Sequence, residues 1–332
     1  MQLKGESVLK AVLVNKESQS LYIGEAEKPV PGPGELLIQV KATALNRADL
    51  LQKRGAYPPP AGASAILGLE MSGVVEETGA DTEGWSIGDR VFSLLPGGGY
   101  AEHAVIPASM AMRIPGSMSF EEAAAIPEVF LTAYLNMFTL GGLKTEESIL
   151  IHAGASGVGT AAIQLAREAG ARPIITAGSE DKRRLCLSLG AELAIDYKDG
   201  PFAPKVKEAT GGQGVQLIFD FIGAPYWEQN ISSLAVDGKL ILIGTMGGAA
   251  VPNVNLGKIL FKRIHIIGTA LRSQPPEKKA ALTKQFSDFA LSRFEDGRLK
   301  PIIDSVWDWT EVNEAHARME QNKNAGKIIL RI

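Results

Sequence analysis

Cysteine is nearly absent from this chain. A single thiol, Cys186, among 332 residues excludes an intrachain disulfide and any metal site built from several cysteines, and it suits a reducing compartment. Histidine is almost as sparse: His103, His152, His265 and His316 stand at no spacing that would gather a metal ion. A dominant charge is missing too. The 34 basic and 37 acidic side chains leave a net charge of -3, and no long run of one sign breaks the mixture, which argues against a nucleic-acid partner or a charged membrane surface. Residues Met1 to Lys10 lack the apolar core of a signal peptide, and no uninterrupted apolar run is long enough to span a bilayer. The cytoplasm is therefore the expected location. What is abundant is core-forming material: 45% hydrophobic residues, in a length that suits about two domains of ordinary size.

The first third reads as short β elements between Gly/Pro turns. Ala11 to Val14 and Leu36 to Val40 predict strands on either side of Pro29-Val30-Pro31-Gly32-Pro33-Gly34, and Met71 to Glu76, Arg90-Val91-Phe92 and Tyr100 to Val105 continue the pattern. A small barrel-like β domain over roughly residues 1 to 125 follows from it. Ser119 with Glu122 then forms a capping-box pattern ahead of an alanine-rich helix. Beyond it strands and helices alternate. Strands are expected at Ile149 to Ile151, Pro173 to Thr176, Leu193 to Ile195, Leu217 to Asp220, Leu240 to Ile243 and Ile264 to Gly268, which predicts a doubly wound parallel sheet with helices on both faces. A long helix near Glu277 to Phe294, the alternating Trp307 and Trp309, and a strand at Ile328 to Leu330 close the chain. Of the two tryptophans, the alternation expects one in the core and one at an interface.

The opening strand of the alternating part runs into His152-Ala153-Gly154-Ala155-Ser156-Gly157-Val158-Gly159 and leaves as a helix. Strand, glycine-dense turn and helix in that order make a cradle for a pyrophosphate, because small residues admit the phosphate and the helix start offers free N–H groups. One departure from GxGxxG is Ser156, where glycine would stand. An NAD site would add Asp or Glu at the end of the second strand for the ribose hydroxyls. Here that strand ends Thr176-Ala177-Gly178-Ser179, followed by Glu180 and the cations Lys182, Arg183 and Arg184. A hydroxyl and cations would accept a 2'-phosphate, so NADPH is the expected cofactor; a small shift of register would instead give Glu180 to the ribose. His152, at a strand end, reads as a hydrogen-bonded core residue, and Cys186 as a packed thiol.

Several stretches taken in order resemble the medium-chain dehydrogenase/reductase superfamily, and within it the zinc-free quinone oxidoreductases. They are Pro31-Gly32-Pro33-Gly34-Glu35, Ala44-Leu45-Asn46-Arg47-Ala48-Asp49, Leu67-Gly68-Leu69-Glu70, Gly88-Asp89-Arg90-Val91, Ala124-Ala125-Ile126-Pro127-Glu128, the glycine loop, and Asn322-Lys323-Asn324-Ala325-Gly326-Lys327. Leu94 to Gly99, Tyr226-Trp227-Glu228 and Leu260-Phe261-Lys262-Arg263 are similar to the tumour-suppressor-inducible branch of those enzymes. The resemblance implies a GroES-like β-barrel catalytic domain over 1–130, a Rossmann cofactor domain over 131–270, and a segment over 271–332 that returns to the catalytic domain. Where zinc-dependent relatives carry cysteine and histidine ligands, this chain has Asn46 and Leu69, and the relatives' four-cysteine lobe is missing after Val91. No metal is expected.

The implied activity is reduction of quinones by hydride from NADPH, in a cleft between the domains, with little demanded of the protein beyond position and exclusion of water. Asn46 resembles the family's residue at nicotinamide and substrate, where its amide would bond a carbonyl, and Tyr57 resembles its active-site tyrosine. Thr132 resembles the segment behind the nicotinamide ring; Ser179, Lys182 and Tyr197 match positions that hold the adenosine phosphate. The stretches Gly244-Thr245-Met246 and Thr269-Ala270-Leu271 match the lining of the nicotinamide end. Two rival readings stay open: a zinc-free enone or enoyl reductase using the same cofactor, and an NADPH-binding structural or RNA-binding protein of the crystallin kind, which the even charge disfavours. A homodimer is implied, with sheets joined through the Ile264 to Gly268 edge.

Overall fold

Residues 8–332 are described by the computed structural model. In chain order the first strands are β1 (Val8–Val14), β2 (Leu21–Glu27) and β3 (Glu35–Ala44), followed by helix α1 (Arg47–Lys53), then β4 (Glu70–Thr78), β5 (Arg90–Leu94), β6 (His103–Pro107) and β7 (Met112–Arg113). Helices α2 (Phe120–Ala124) and α3 (Pro127–Tyr134) come next. The alternating part holds β8 (Ser148–Ile151), α4 (Gly157–Glu168), β9 (Arg172–Ala177), α5 (Glu180–Ser188), β10 (Leu193–Asp196) and α6 (Phe202–Ala209). It continues with β11 (Val215–Asp220), α7 (Trp227–Ser233), β12 (Leu234–Leu242), α8 (Leu256–Lys262) and β13 (His265–Gly268). The chain ends with α9 (Pro276–Glu295), β14 (Ile303–Asp308), α10 (Val312–Glu320) and β15 (Lys327–Arg331). Two compact units result: one takes the described residues up to Leu131 together with Arg272–Ile332, the other Thr132–Leu271.

The first unit is built on a seven-stranded sheet in the order β14-β15-β3-β4-β5-β7, with β6 also on β3 and β1 paired to β2 separately. Its long strand β3 alternates buried Leu36, Ile38 and Val40 into one core with Met71, Val75, Val91 and Ile106. The capping box at α2 is formed: the Ser119 hydroxyl accepts from the Glu122 N–H at 3.1 Å, and the Glu122 carboxylate accepts from the Ser119 N–H at 2.8 Å. A strand expected over Tyr100 to Val105 lies instead at His103–Pro107, because the Tyr100 ring is needed in the core, where it packs with Leu45, Leu67 and Leu330. Trp307 and Trp309 also depart from the expectation. Both rest on that one cluster, since the strand ends at Asp308 and the chain turns into a short 3₁₀ helix.

The second unit is a six-stranded sheet in the order β10-β9-β8-β11-β12-β13, and every pairing in it is parallel. From β8 the chain runs outward through β9 and β10 on one side and through β11, β12 and β13 on the other, the Rossmann order, which opens a crevice at the carboxyl ends where β8 and β11 lie side by side. Strands buried on both faces need apolar residues at successive positions, and Ser148, Ile149, Leu150 and Ile151 are all buried.

Under this crevice lies a buried polar chain. The His152 ring contacts the Thr176 hydroxyl through Nδ1 at 2.9 Å and the Asn230 amide oxygen through Nε2 at 2.7 Å, while Asn230 Nδ2 donates to Asp220 at 3.0 Å. An amide oxygen can only accept, so Nε2 carries the proton. Burial pushes the ring's pKa down to about 4, and the ring is neutral at neutral pH. Asn230→Ala removes the partner of the imidazole N–H and the side-chain donor to Asp220 Oδ2, leaving Asp220 Oδ1 on the Ile222 and Gly223 N–H groups; a loss of about 3 kcal/mol in urea-unfolding stability is expected.

Candidate functional site

Every residue of the second unit that the sequence points to, apart from Thr132, gathers at the carboxyl ends of its parallel strands. Gly154 to Gly159 follow β8, Ser179 follows β9, Tyr197 follows β10, Gly244-Thr245-Met246 follow β12, and Thr269-Ala270-Leu271 follow β13. The loop is shaped by size. A Cβ on Gly154 would stand 2.7 Å from Ile175, and one on Gly159 would stand 2.5 Å from the carbonyls of Ala153 and Gly154. Ser156 is the N-cap of α4, its hydroxyl accepting from the Gly159 N–H at 3.0 Å; the departure from glycine therefore supplies a cap. The N–H groups of Gly157 and Val158 precede the first intrahelical donor, Thr160, which bonds the Ser156 carbonyl at 2.9 Å, and they lie at the positive pole of the helix. Thr132 is buried in α3.

A dinucleotide fits this edge on two counts: packing against Ile175 and against the loop's own carbonyls keeps Gly154 and Gly159 without side chains and the turn into α4 tight, and the buried Thr269 hydroxyl finds no partner among the described residues. Beside it, Ser179 caps α5 by accepting from the Lys182 N–H at 3.4 Å. The cation run is not wholly available, however. Arg183 pairs with Asp196, and Arg184 pairs with Asp181 at 2.7 Å and Glu180 at 3.2 Å. A cation the sequence reading missed is Lys198, whose ammonium donates to the Gly178 carbonyl at 2.7 Å and lies 5.9 Å from the Tyr197 ring centre. Its signal was present in the sequence, one position past Tyr197, but only the return of the chain after β10 brings it to Gly178.

The first unit holds a buried ionic cluster around Asn46. Lys327 Nζ stands 2.7 Å from Glu70 Oε1, with both side chains almost wholly removed from solvent. Lys327 also donates to the Leu45 carbonyl and to Asn46 Oδ1, each at 2.7 Å, and Asn46 Nδ2 donates to Glu70 at 2.7 Å. The Asn46 amide is therefore engaged by the protein itself, where the resemblance implied a bond to a substrate carbonyl. Asp49 adds a second layer. It accepts from the backbone N–H groups of Asn46 at 2.8 Å and Gly68 at 3.0 Å, and burial pushes its pKa up to about 6. Glu70 and Lys327 each stand in the sequence only as members of short motifs; 256 residues of intervening chain hide their pairing, and only β15 lying beside β3 creates it.

Tyr57 is partly exposed in the loop after α1. The Arg272 guanidinium lies 5.2 Å from its ring centre, and Arg272 donates to Gln52 at 2.7 Å and to the Pro96 carbonyl at 2.8 Å. Burial first, then the charge of Glu128, raise the Tyr57 phenol above the ordinary tyrosine range, against a lowering by Arg272. The phenol keeps its proton at neutral pH.

Residues 32–116 match the alcohol dehydrogenase GroES-like domain, and residues 157–287 match the family described as zinc-binding dehydrogenase. Human quinone oxidoreductase is 30% identical over 304 residues, covering 91% of this chain and 90% of that protein. This chain is a medium-chain dehydrogenase/reductase. Among solved structures, a mycobacterial protein in complex with NADPH superposes with a TM-score of 0.86 at 28% identity, covering 98% of this chain and 100% of that one. An NAD-dependent alcohol dehydrogenase superposes with a TM-score of 0.85 at 29% identity, covering 98% and 99%. As a member of this superfamily the chain is an oxidoreductase that works with a nicotinamide cofactor. Zinc does not fit the donor set: Leu69 carries no ligand atom, the Asn46 amide is committed, and among the described residues no three His, Cys, Asp or Glu side chains converge as a metal site. No helix among the described residues is long and apolar enough to cross a membrane.

Lys327→Met would leave Glu70 charged and unpaired in the interior. A loss of about 3–5 kcal/mol in denaturant-unfolding stability at pH 7 is expected, well beyond the surface pair Lys284–Asp288, for which Lys284→Met should cost under about 1 kcal/mol.

Proposed function

We propose that this medium-chain dehydrogenase/reductase reduces quinones with NADPH and without a metal ion. The observation that carries the cofactor half is the end of β9: no carboxylate stands there for a ribose hydroxyl, Glu180 is turned into a pair with Arg184, and the Ser179 cap lies beside Lys182 and Lys198. An anionic 2'-phosphate suits those groups, and a carboxylate at the same place would repel it. Ser179, Lys182 and Tyr197 would hold the adenosine phosphate. Gly154 to Gly159 would hold the pyrophosphate, and Thr132, Gly244 to Met246 and Thr269 to Leu271 would line the nicotinamide. When bound, that cofactor supplies the hydride.

What remains for the protein is orientation of the acceptor. A protonated Tyr57 phenol, braced from one face by Arg272, is a donor for an acceptor oxygen. Asn46 acts one step back, holding Lys327 and Glu70 in place. Acceptors that take hydride without a Lewis acid suit this set, and quinones are the strongest of these. A second copy of the chain belongs to the same reading. Strand β13 is the last of its sheet, and beside it α8 exposes Leu256, Leu260 and Phe261, the last 83% accessible. These exposed apolar side chains support a homodimer in that reading, and the single buried thiol, which suits a reducing compartment, supports a cytoplasmic one.

Fluorescence titration tests the cofactor. NADPH is expected to bind at least about tenfold tighter than NADH, and Lys182→Ala to narrow that ratio by weakening NADPH alone, a difference of about 1.4 kcal/mol per decade. Equal affinities would mean an NAD enzyme. Steady-state rates on 1,4-benzoquinone against an enone and an enoyl thioester test the acceptor; preference for the enone would replace the quinone reading. Phe261→Glu should halve the mass measured by light scattering if α8 and β13 join two copies.

A further inference from the structure

Glu128 is the second residue of α3, and its backbone N–H donates to Glu70 Oε2 at 2.8 Å. That bond brings two carboxyl groups into one neighbourhood with unequal support. Glu70 is held by the Lys327 ammonium, the Asn46 amide and the Glu128 N–H. The Glu128 carboxyl receives no hydrogen bond from any described residue, and the residue as a whole is only half-buried.

Six charged or titratable groups face it. Glu70 and Asp49 oppose a negative charge on Glu128, Lys327 and Arg272 favour one, and Tyr57 and Lys279 feel its charge in turn. The cations are bound elsewhere: Lys327 to Glu70, Arg272 to Gln52 and two backbone carbonyls, Lys279 to the Arg272 carbonyl at 3.4 Å. Burial is the largest influence, Glu70 the next, and together they push the carboxyl up to about 8. An acid in that range keeps its proton at neutral pH and can give it up during turnover.

We propose that Glu128 is the acid that delivers the proton required when the acceptor is reduced, working beside the Tyr57 phenol. The inference rests on the quinone-reductase reading above. The acceptor carbon or ring takes two electrons and a proton as hydride from the reduced nicotinamide. The O–H bond of Glu128 breaks as an O–H bond forms on the acceptor oxygen, so a quinone leaves as hydroquinone. The Glu128 carboxylate then regains a proton from water, and the sum is NADPH, a proton and quinone giving NADP⁺ and hydroquinone.

Glu128→Gln keeps the backbone bond to Glu70 and the side-chain volume, but has no proton to give. With NADPH and 1,4-benzoquinone, kcat at pH 6.5 should fall on the order of 100-fold with KM within about twofold. The wild-type decline in kcat above about pH 8 should disappear in this variant and return in Glu128→Asp. A second measurement needs no turnover. Because the folded-state pKa lies above the unfolded value, the folded protein takes up one more proton than the unfolded chain between about pH 8 and 4.5. Relative to Glu128→Gln, the wild-type folding constant should therefore rise about tenfold per pH unit as pH falls from 8 to 5. An unchanged kcat and pH profile in Glu128→Gln, in a wild-type protein that does reduce quinones, would overturn the proposal, as would parallel stability curves. A wild-type protein that binds NADPH yet reduces no quinone would overturn the functional reading, and the stability curves would still decide whether Glu128 holds the proton.

Discussion

The ion pair between Lys327 and Glu70 is the constraint on which the first unit turns. Two charges removed from water demand that every remaining lone pair and proton be met, and here the Asn46 amide, the Leu45 carbonyl and the Glu128 N–H meet them. Those partners come from four places in the chain: the start of α1, the start of β4, the start of α3 and the first residue of β15. A pair of this kind adds little to stability compared with a well-packed apolar core, yet it penalises every arrangement in which one partner is missing. It thereby sets where the chain's last strand must lie and where Glu128 begins its helix.

The second unit solves a different problem with uncharged groups. A parallel sheet buries both faces, so its polar features collect at the strand ends. At the carboxyl end the loop after β8 and the start of α4 present backbone N–H groups, and the His152–Asn230–Asp220 chain ties β8, β11 and α7 together beneath them. The imidazole serves as a neutral, doubly bonded spacer. Its burial beside Phe202 and Tyr226, with ring centres 4.9 and 4.7 Å away, disfavours the charged form.

Charge is restrained in both units. In the first, the carboxyl groups of Glu70, Asp49 and Glu128 are crowded together; in the second, Asp196 pairs with Arg183 and Glu180 with Arg184, which on the proposed reading leaves the end of β9 open to an anion. Leu69 has no ligand atom and the Asn46 amide is engaged by Lys327 and Glu70, so on the proposed reading acid groups and cofactor position would serve in place of a Lewis acid.

Much of this was legible in the sequence, because local patterns answer to local physics. Alternating strand and helix periods, the capping box at Ser119 and the glycine loop each depend on residues within a few positions of one another, and the parallel sheet and the loop-to-helix step followed from them. The pieces that differ are those where a distant partner outweighs local preference. Tyr100 left its expected strand for the core, Trp309 joined the same cluster as Trp307, and Arg183 is paired with Asp196 at the end of β10. By itself the sequence determined the fold class, the glycine-rich step from β8 into α4 and the ligand-free side chain at Leu69. Only the tertiary structure decided which charges are spent and which remain available, since Glu70 meets Lys327, and Glu128 comes to face both, through strand pairing across nearly the whole chain, and burial then sets the cost of every charge left without a partner.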